Sequence, residues 1–142
     1  MAMHSQIFWG SFYLTICCLM HVGFLAMTIN VLEKIDHGQE RPGFFWVVLL
    51  LMASFVSIAL SHTVQVWLWA WALIGIENLQ DWNSSVYFSL VSYTSLGYGD
   101  VTLGPGARIF GAFSSVTGLL TFGLSTAFLV ALMTRLLKGW FH

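Results

Sequence analysis

Three apolar stretches, at about residues 7–31, 44–76 and 109–134, take up most of the chain. Each is longer than the roughly 20 residues that carry an α-helix across a bilayer core. The second exceeds the thickness of the core and is expected to tilt or protrude. Composition points the same way. Of 142 residues, 58% are apolar and 8% charged, whereas a soluble domain carries about a quarter charged. A water-soluble fold so poor in charge would expose large apolar patches, so the expected solvent is a lipid bilayer. The formal net charge of −1 argues against nucleic acid, which needs a basic face to neutralise phosphates. Cys17 and Cys18 lie side by side within an apolar run and suggest neither a disulfide framework nor metal-ligand spacing.

The first stretch has no Lys or Arg before it, and its apolar run outlasts a signal core of about 7–15 residues. A retained helix is expected. In the second, Trp46 near the start and Trp67, Trp69 and Trp71 near the end form the aromatic-belt pattern of a helix meeting both interfaces. Lys34 and Arg41 lie between the first two stretches, Arg135 and Lys138 follow the third, and Arg108 alone falls on the other side. The positive-inside bias places residues 33–42 and the C-terminus in the cytoplasm and the N-terminus outside a cell membrane. Only four residues follow Lys138, so no cytoplasmic ligand-binding domain is expected. No span carries the row of arginines that a voltage sensor needs.

Residues 77–108 then sit on the outer side. They contain a short semi-apolar piece, 86–94, which Asn83, Ser84 or Ser85 could cap. A helix of about 12 residues reaches only about 18 Å, too short to cross. It reads as a re-entrant helix that dips in and returns. Its C-terminal end directs partial negative charge inward, which favours a cation there.

Thr94-Ser95-Leu96-Gly97-Tyr98-Gly99-Asp100 follows. A dehydrated cation needs a cage of oxygens, which backbone carbonyls can supply if successive residues point them at one axis. Gly97 and Gly99 tolerate the positive φ that turns intervening carbonyls inward. Tyr98 between them can point outward and brace the loop, Asp100 puts a carboxylate at the outer mouth, and Ser95 can add a hydroxyl oxygen at the inner end. A dinucleotide-binding fingerprint is not met, since it needs a third glycine at 102, which is Thr102.

This segment resembles the filter of pore-loop potassium channels. From about 44 to 138 the order also resembles the two-helix pore module of small bacterial proton-gated potassium channels: outer helix 44–76, pore helix 83–94, filter 95–100, inner helix 108–138. Residues 1–43 form an extra N-terminal helix and cytoplasmic loop, and 44–142 the pore domain. The resemblance implies that Ser95, Leu96, Gly97, Tyr98 and Gly99 bind potassium ions, that a glycine at Gly118 is a gating hinge, and that Phe122, Thr126 and Val130 face the cavity and inner gate. Arg108 matches a basic residue at the start of the inner helix. The chain departs from the family at Ser95 (usually threonine) and Leu96 (usually valine or isoleucine). Val91 stands where the proton-gated type has a buried glutamate, and Tyr87 and Phe88 replace a tryptophan pair. Asp100 is therefore expected to be braced differently, by the hydroxyl of Tyr87.

Other residues are open to more than one reading. Gly111, Ser114, Ser115 and Gly118 form a small-residue face that admits a close neighbour, so Gly118 reads equally as hinge or packing. Ser54, Ser57, Ser61 and Gln65 share one face of the second stretch and read as packing. His21 and His62 lie within spans, where a histidine can act as a proton sensor. The favoured reading is a neutral imidazole bonded to a neighbour such as Ser61. His4, His37 and His142 are expected in solvent. No catalytic constellation and no cofactor are expected. A single loop cannot enclose an ion, so the sequence predicts an all-α membrane protein with three transmembrane helices, a re-entrant pore helix and a filter loop, assembled as a homotetrameric potassium channel. The alternatives are a weakly selective cation channel and a non-conducting regulatory subunit with a pore-like fold.

Overall fold

A computed structural model describes residues 1–35, 43–76 and 79–137. They form four α-helices: α1 (Met3–Ile35), α2 (Phe44–Leu73), α3 (Trp82–Tyr93) and α4 (Arg108–Leu137). The protein is all-helical, and α1, α2 and α4 are each long and apolar enough to cross a membrane. Residues 36–42, with Arg41 and His37, and residues 138–142, with Lys138 and His142, lie outside the described residues.

Helix ends follow local chemistry. Asp81 caps α3 by accepting the Ser84 amide at 3.0 Å and the Ser84 hydroxyl at 2.7 Å, which holds the Asp81 carboxyl below its ordinary range. The cap is thus two residues before the earliest expected position, Asn83, and Ser84 is the donor. α2 stops at Leu73, three residues short of Ile76, because Gly75 turns to φ +81 and takes the chain out of the helix.

α1 and α4 run parallel in near-constant register. Gln6 reaches Ile109 and Phe110, a Cβ on Gly10 would strike Phe113, His21 meets Ser125, and Glu33 pairs with Arg135 at 3.3 Å. The Gln6 carboxamide oxygen accepts the amides of Ile109 (3.1 Å) and Phe110 (3.4 Å), while its nitrogen donates to Pro105 O (3.0 Å). A side chain of α1 thereby satisfies orphan donors at the start of α4. α2 runs antiparallel to both, with Thr28 against Ser57, His21 against Ser61 and Tyr13 against Trp69.

The core at the α3 end gathers Cys17, Val66, Trp69, Leu73, Leu79, Tyr93 and Phe110; a second cluster at the far end joins Leu32, Val47, Leu50 and Leu136. Trp69 is fully buried between Tyr13 and Phe110. This corrects its expected place in an interfacial belt: Trp67 and Trp71 are exposed, but Trp69 points from the opposite side of the helix. Cys17 is buried, and both cysteines are free thiols.

α3 is held by small and hydroxyl residues. Ser89 donates to Val66 O (2.7 Å) and Ser115 to Ser92 O (2.7 Å). The face containing Gly111, Ser115 and Gly118 therefore packs on α3. A Cβ added at Gly118 would lie 1.8 Å from the carbonyl oxygen of Tyr93, whereas one at Gly123 would meet nothing within 4 Å. Alanine in a helix interior is about 1 kcal/mol better than glycine where space allows. Thermal unfolding of the detergent-purified protein should show Gly123→Ala neutral or stabilised and Gly118→Ala destabilised. Equal behaviour of the two would show that close approach is not what Gly118 supplies.

Candidate functional site

α3 ends at Tyr93, Thr94 caps it, and the chain then leaves helical geometry. Three of the next five residues have positive φ, alternating along the chain: Ser95 (+60), Gly97 (+57) and Gly99 (+77). The two glycines adopt this region at little cost. Ser95 is the sole non-glycine residue with positive φ among the described residues, and sequence reasoning singled it out for its hydroxyl, not its backbone. Serine carries no local signal for the left-handed region, so this feature was not legible from residue type.

The loop amides turn back onto α3. Ser95 N donates to Ser92 O (2.9 Å), and Leu96 N (3.0 Å) and Gly97 N (3.3 Å) both donate to Val91 O. The orphan carbonyls at the helix end are thereby satisfied by the loop. Among the described residues no hydrogen bond ends on the carbonyls of Ser95, Leu96, Gly97, Tyr98 or Gly99. Five acceptors in succession are thus unpaired among the described residues, while the amides of Ser95, Leu96 and Gly97 are occupied.

Among the described residues no contact crowds Gly97 or Gly99, since a Cβ on either would meet nothing within 4 Å. What these positions require of glycine is dihedral freedom. Leu96 and Tyr98 are 58% and 68% exposed, so large side chains beside the loop stand uncovered. Behind the loop a cavity of about 340 Å³ separates it from α4, lined by Tyr87, Phe88, Val101, Leu103, Arg108 and Gly111 among others. Among the described residues no three His, Cys, Asp or Glu side chains gather at a metal-sized site.

Tyr87 donates its hydroxyl to Asp100 Oδ2 at 2.5 Å, the brace expected from the departures at positions 87, 88 and 91. It ties the far end of the loop to the first half of α3. On α4, Gly118, Phe122, Thr126 and Val130 fall at intervals of four and so share one face. Gly118 abuts the Tyr93 carbonyl, the Phe122 ring packs on His62 and Tyr93, and Thr126 and Val130 are exposed.

His21 and His62 come together, their ring centroids 5.0 Å apart. His21 meets Ser61, as expected, at 2.8 Å, and His62 meets the Tyr93 hydroxyl at 2.8 Å. Residue type places both histidines within spans but does not show that their rings meet. Ser61 and His62 are adjacent on α2, yet Ser61 meets α1 while His62 also reaches α3 and α4, and the meeting of the two rings depends on the register of α1 against α2.

Two long apolar helices with a short capped helix and a glycine loop between them, and a third apolar helix alongside, define a polytopic membrane protein with an inserted pore-type segment. The model of the ion channel family matches residues 44–135, and the chain belongs to that family. No curated protein and no solved structure gives a significant match. The match begins at the first residue of α2, so α1 is outside it.

The Tyr87 bond favours the ionised form of Asp100, whose carboxyl is held below its ordinary range chiefly by that bond. A lowered value means that the brace is fully present at neutral pH and is lost as the pH falls through the carboxylate range. In Tyr87→Phe the Asp100 carboxyl should titrate closer to the ordinary value of about 3.9. Carboxyl ¹³C NMR would read the change, and an unchanged titration would remove Tyr87 as its cause.

Proposed function

We propose that this ion channel is potassium-selective, and that four copies of the chain surround an axis lined by the carbonyls of residues 95–99. The observation that carries the reading is the alternation of positive φ at Ser95, Gly97 and Gly99, with the amides of residues 95–97 consumed by α3. A stack of unpartnered carbonyls suits a dehydrated monovalent cation, which needs its water shell replaced by oxygens. One loop offers oxygens from one side only, and closed rotational symmetry supplies the rest. The uncovered Leu96 and Tyr98 fit this arrangement, because neighbouring copies would cover them.

The remaining site residues take roles on the same basis. Ser95, at the loop's inner end, presents a hydroxyl to the innermost ion. The ionised Asp100 concentrates cations at the outer mouth. Phe122, Thr126 and Val130 line the path below, and Gly118 holds the top of α4 against the end of α3. The loop faces the outer side of a cell membrane, and the N-terminus shares that side: Met1 N donates to Gly106 O at 2.9 Å.

Two experiments test this. A cysteine in place of the exposed His4 should react with a membrane-impermeant thiol reagent in intact cells; labelling only after lysis would reverse the orientation. Purified protein in liposomes should carry potassium in clear preference to sodium. Gly99→Ala, which forces a Cβ into the left-handed region at about 1–2 kcal/mol per subunit, should abolish that preference. Equal passage of both ions by the native protein would indicate a weakly selective pore, silence under every condition a regulatory subunit, and retained selectivity in Gly99→Ala would remove residues 95–99 as the filter.

A further inference from the structure

Six side chains from all four helices meet beneath the 95–100 loop: His21 on α1, Ser61, His62 and Gln65 on α2, Tyr93 on α3 and Ser125 on α4. Their donors and acceptors can be assigned one by one. Gln65 Nε2 can only donate, and it lies 3.3 Å from both Ser61 Oγ and His21 Nδ1. His21 Nδ1 therefore carries no hydrogen and accepts, which puts the His21 proton on Nε2, 3.0 Å from Ser125 Oγ. At the other end, Gln65 Oε1 can only accept, and the Tyr93 hydroxyl donates to it at 3.1 Å. Tyr93 has one hydrogen, so His62 Nδ1, 2.8 Å from its oxygen, must be a donor. His62 Nε2 is then bare, and the single Ser125 hydrogen, which also has Thr121 O at 2.9 Å, is shared with it at 3.0 Å.

The bonds close on themselves. Gln65 gives to Ser61, Ser61 to His21 (2.8 Å), His21 to Ser125, Ser125 to His62, His62 to Tyr93, and Tyr93 back to the carboxamide oxygen of Gln65. Every hydrogen runs in one direction, fixed by the amide's unlike ends. Such chains polarise each member in the same sense, and in a low-dielectric setting a missing member leaves its neighbours unsatisfied. No carboxylate, Lys or Arg takes part.

We propose that α1, although outside the family match, is a working part of the pore: through His21 it completes this ring and positions Tyr93 and the start of the loop that follows it. Tyr93 is the last residue of α3 and 1% exposed, its carbonyl abuts Gly118, and Ser95 begins the alternating backbone two residues later. Thr121 Oγ1 lies 2.8 Å from the same hydroxyl, which locks the ring to α4. His21 is thus a positioning residue that touches no ion. The inference rests on residues 95–99 being the filter, but the ring can be tested without it.

In full-length protein labelled with ¹⁵N-histidine in bilayers, NMR should find opposite tautomers in the two rings: His21 protonated on Nε2, His62 on Nδ1. The same tautomer on both would overturn the ring. For His21→Leu, which can neither donate nor accept, the backbone ¹³C shifts of residues 93–96 should move. The potassium-to-sodium permeability ratio should fall at least about fivefold, the equivalent of one hydrogen bond. His21→Gln keeps one donor and one acceptor and should restore most of both. A leucine variant with native shifts and native ratio would overturn the proposal, as would a glutamine variant no better than leucine. If the native channel does not discriminate the two ions, the filter reading fails, and the tautomers and backbone shifts alone decide the ring. If the leucine variant does not fold, the native tautomers and the glutamine variant's permeability ratio decide.

Discussion

A peptide group inside a bilayer has no water to bond, so irregular backbone there must find its partners within the protein or open onto a cavity. In this protein that constraint falls on the seven residues after α3. The amides of residues 95–97 meet it by folding back onto the carbonyls that α3 leaves open, and in doing so they leave their own carbonyls bare. One arrangement terminates the helix and leaves the carbonyls of residues 95–99 without a hydrogen bond among the described residues. The rest of the molecule holds α3 at the angle and depth where this works.

Hydroxyl groups and missing side chains do much of that holding. Ser89 and Ser115 bond to backbone oxygens of α2 and α3, and Gly118 lets α4 come within contact of the Tyr93 carbonyl. Apolar attraction contributes little specificity between helices in lipid, because acyl chains are as apolar as leucine. Close backbone approach and buried hydrogen bonds supply it instead. Hydroxyls at helix–helix contacts also bond within their own helices, as Thr28, which meets Ser57 on α2, does to Phe24 O. Their cost when unpartnered in lipid is thereby reduced.

The spans were legible because twenty apolar residues have few other fates, and the loop because glycine at alternate positions next to a short helix is a pattern with a mechanism. The Tyr87 brace could be anticipated from which residues its neighbours lacked. Local details were less visible. Asp81 is followed by three more residues able to cap, so residue type does not single it out, and apolar Ile74 and Ile76 on either side of Gly75 hide the turn there. Trp69 was placed at an interface by its type, when its angular position among Trp67 and Trp71 sends it into the core. The histidine cluster was beyond reach. It depends on the mutual register of α1, α2 and α4, which residue pattern within any one helix does not encode.

The parallel pairing of α1 with α4 bears on how the protein is made. Apart from Met1 O, the Gln6 carboxamide finds its partners at Pro105, Ile109 and Phe110, and His21 finds Ser125, so α1 is completed by a helix made some hundred residues later. Until α4 inserts, a carboxamide and an imidazole sit on a largely apolar helix with part of their bonding unmet. Ser61 on α2 offers His21 an interim partner, whereas nothing on α2 reaches Gln6. Biogenesis is therefore not a matter of adding finished helices one after another. The membrane must hold an incomplete α1 through the synthesis of some hundred residues, and contacts of that sequence separation close slowly. The bonds of Gln6 and His21 to α4 and the turn before it are completed only once α4 is in place.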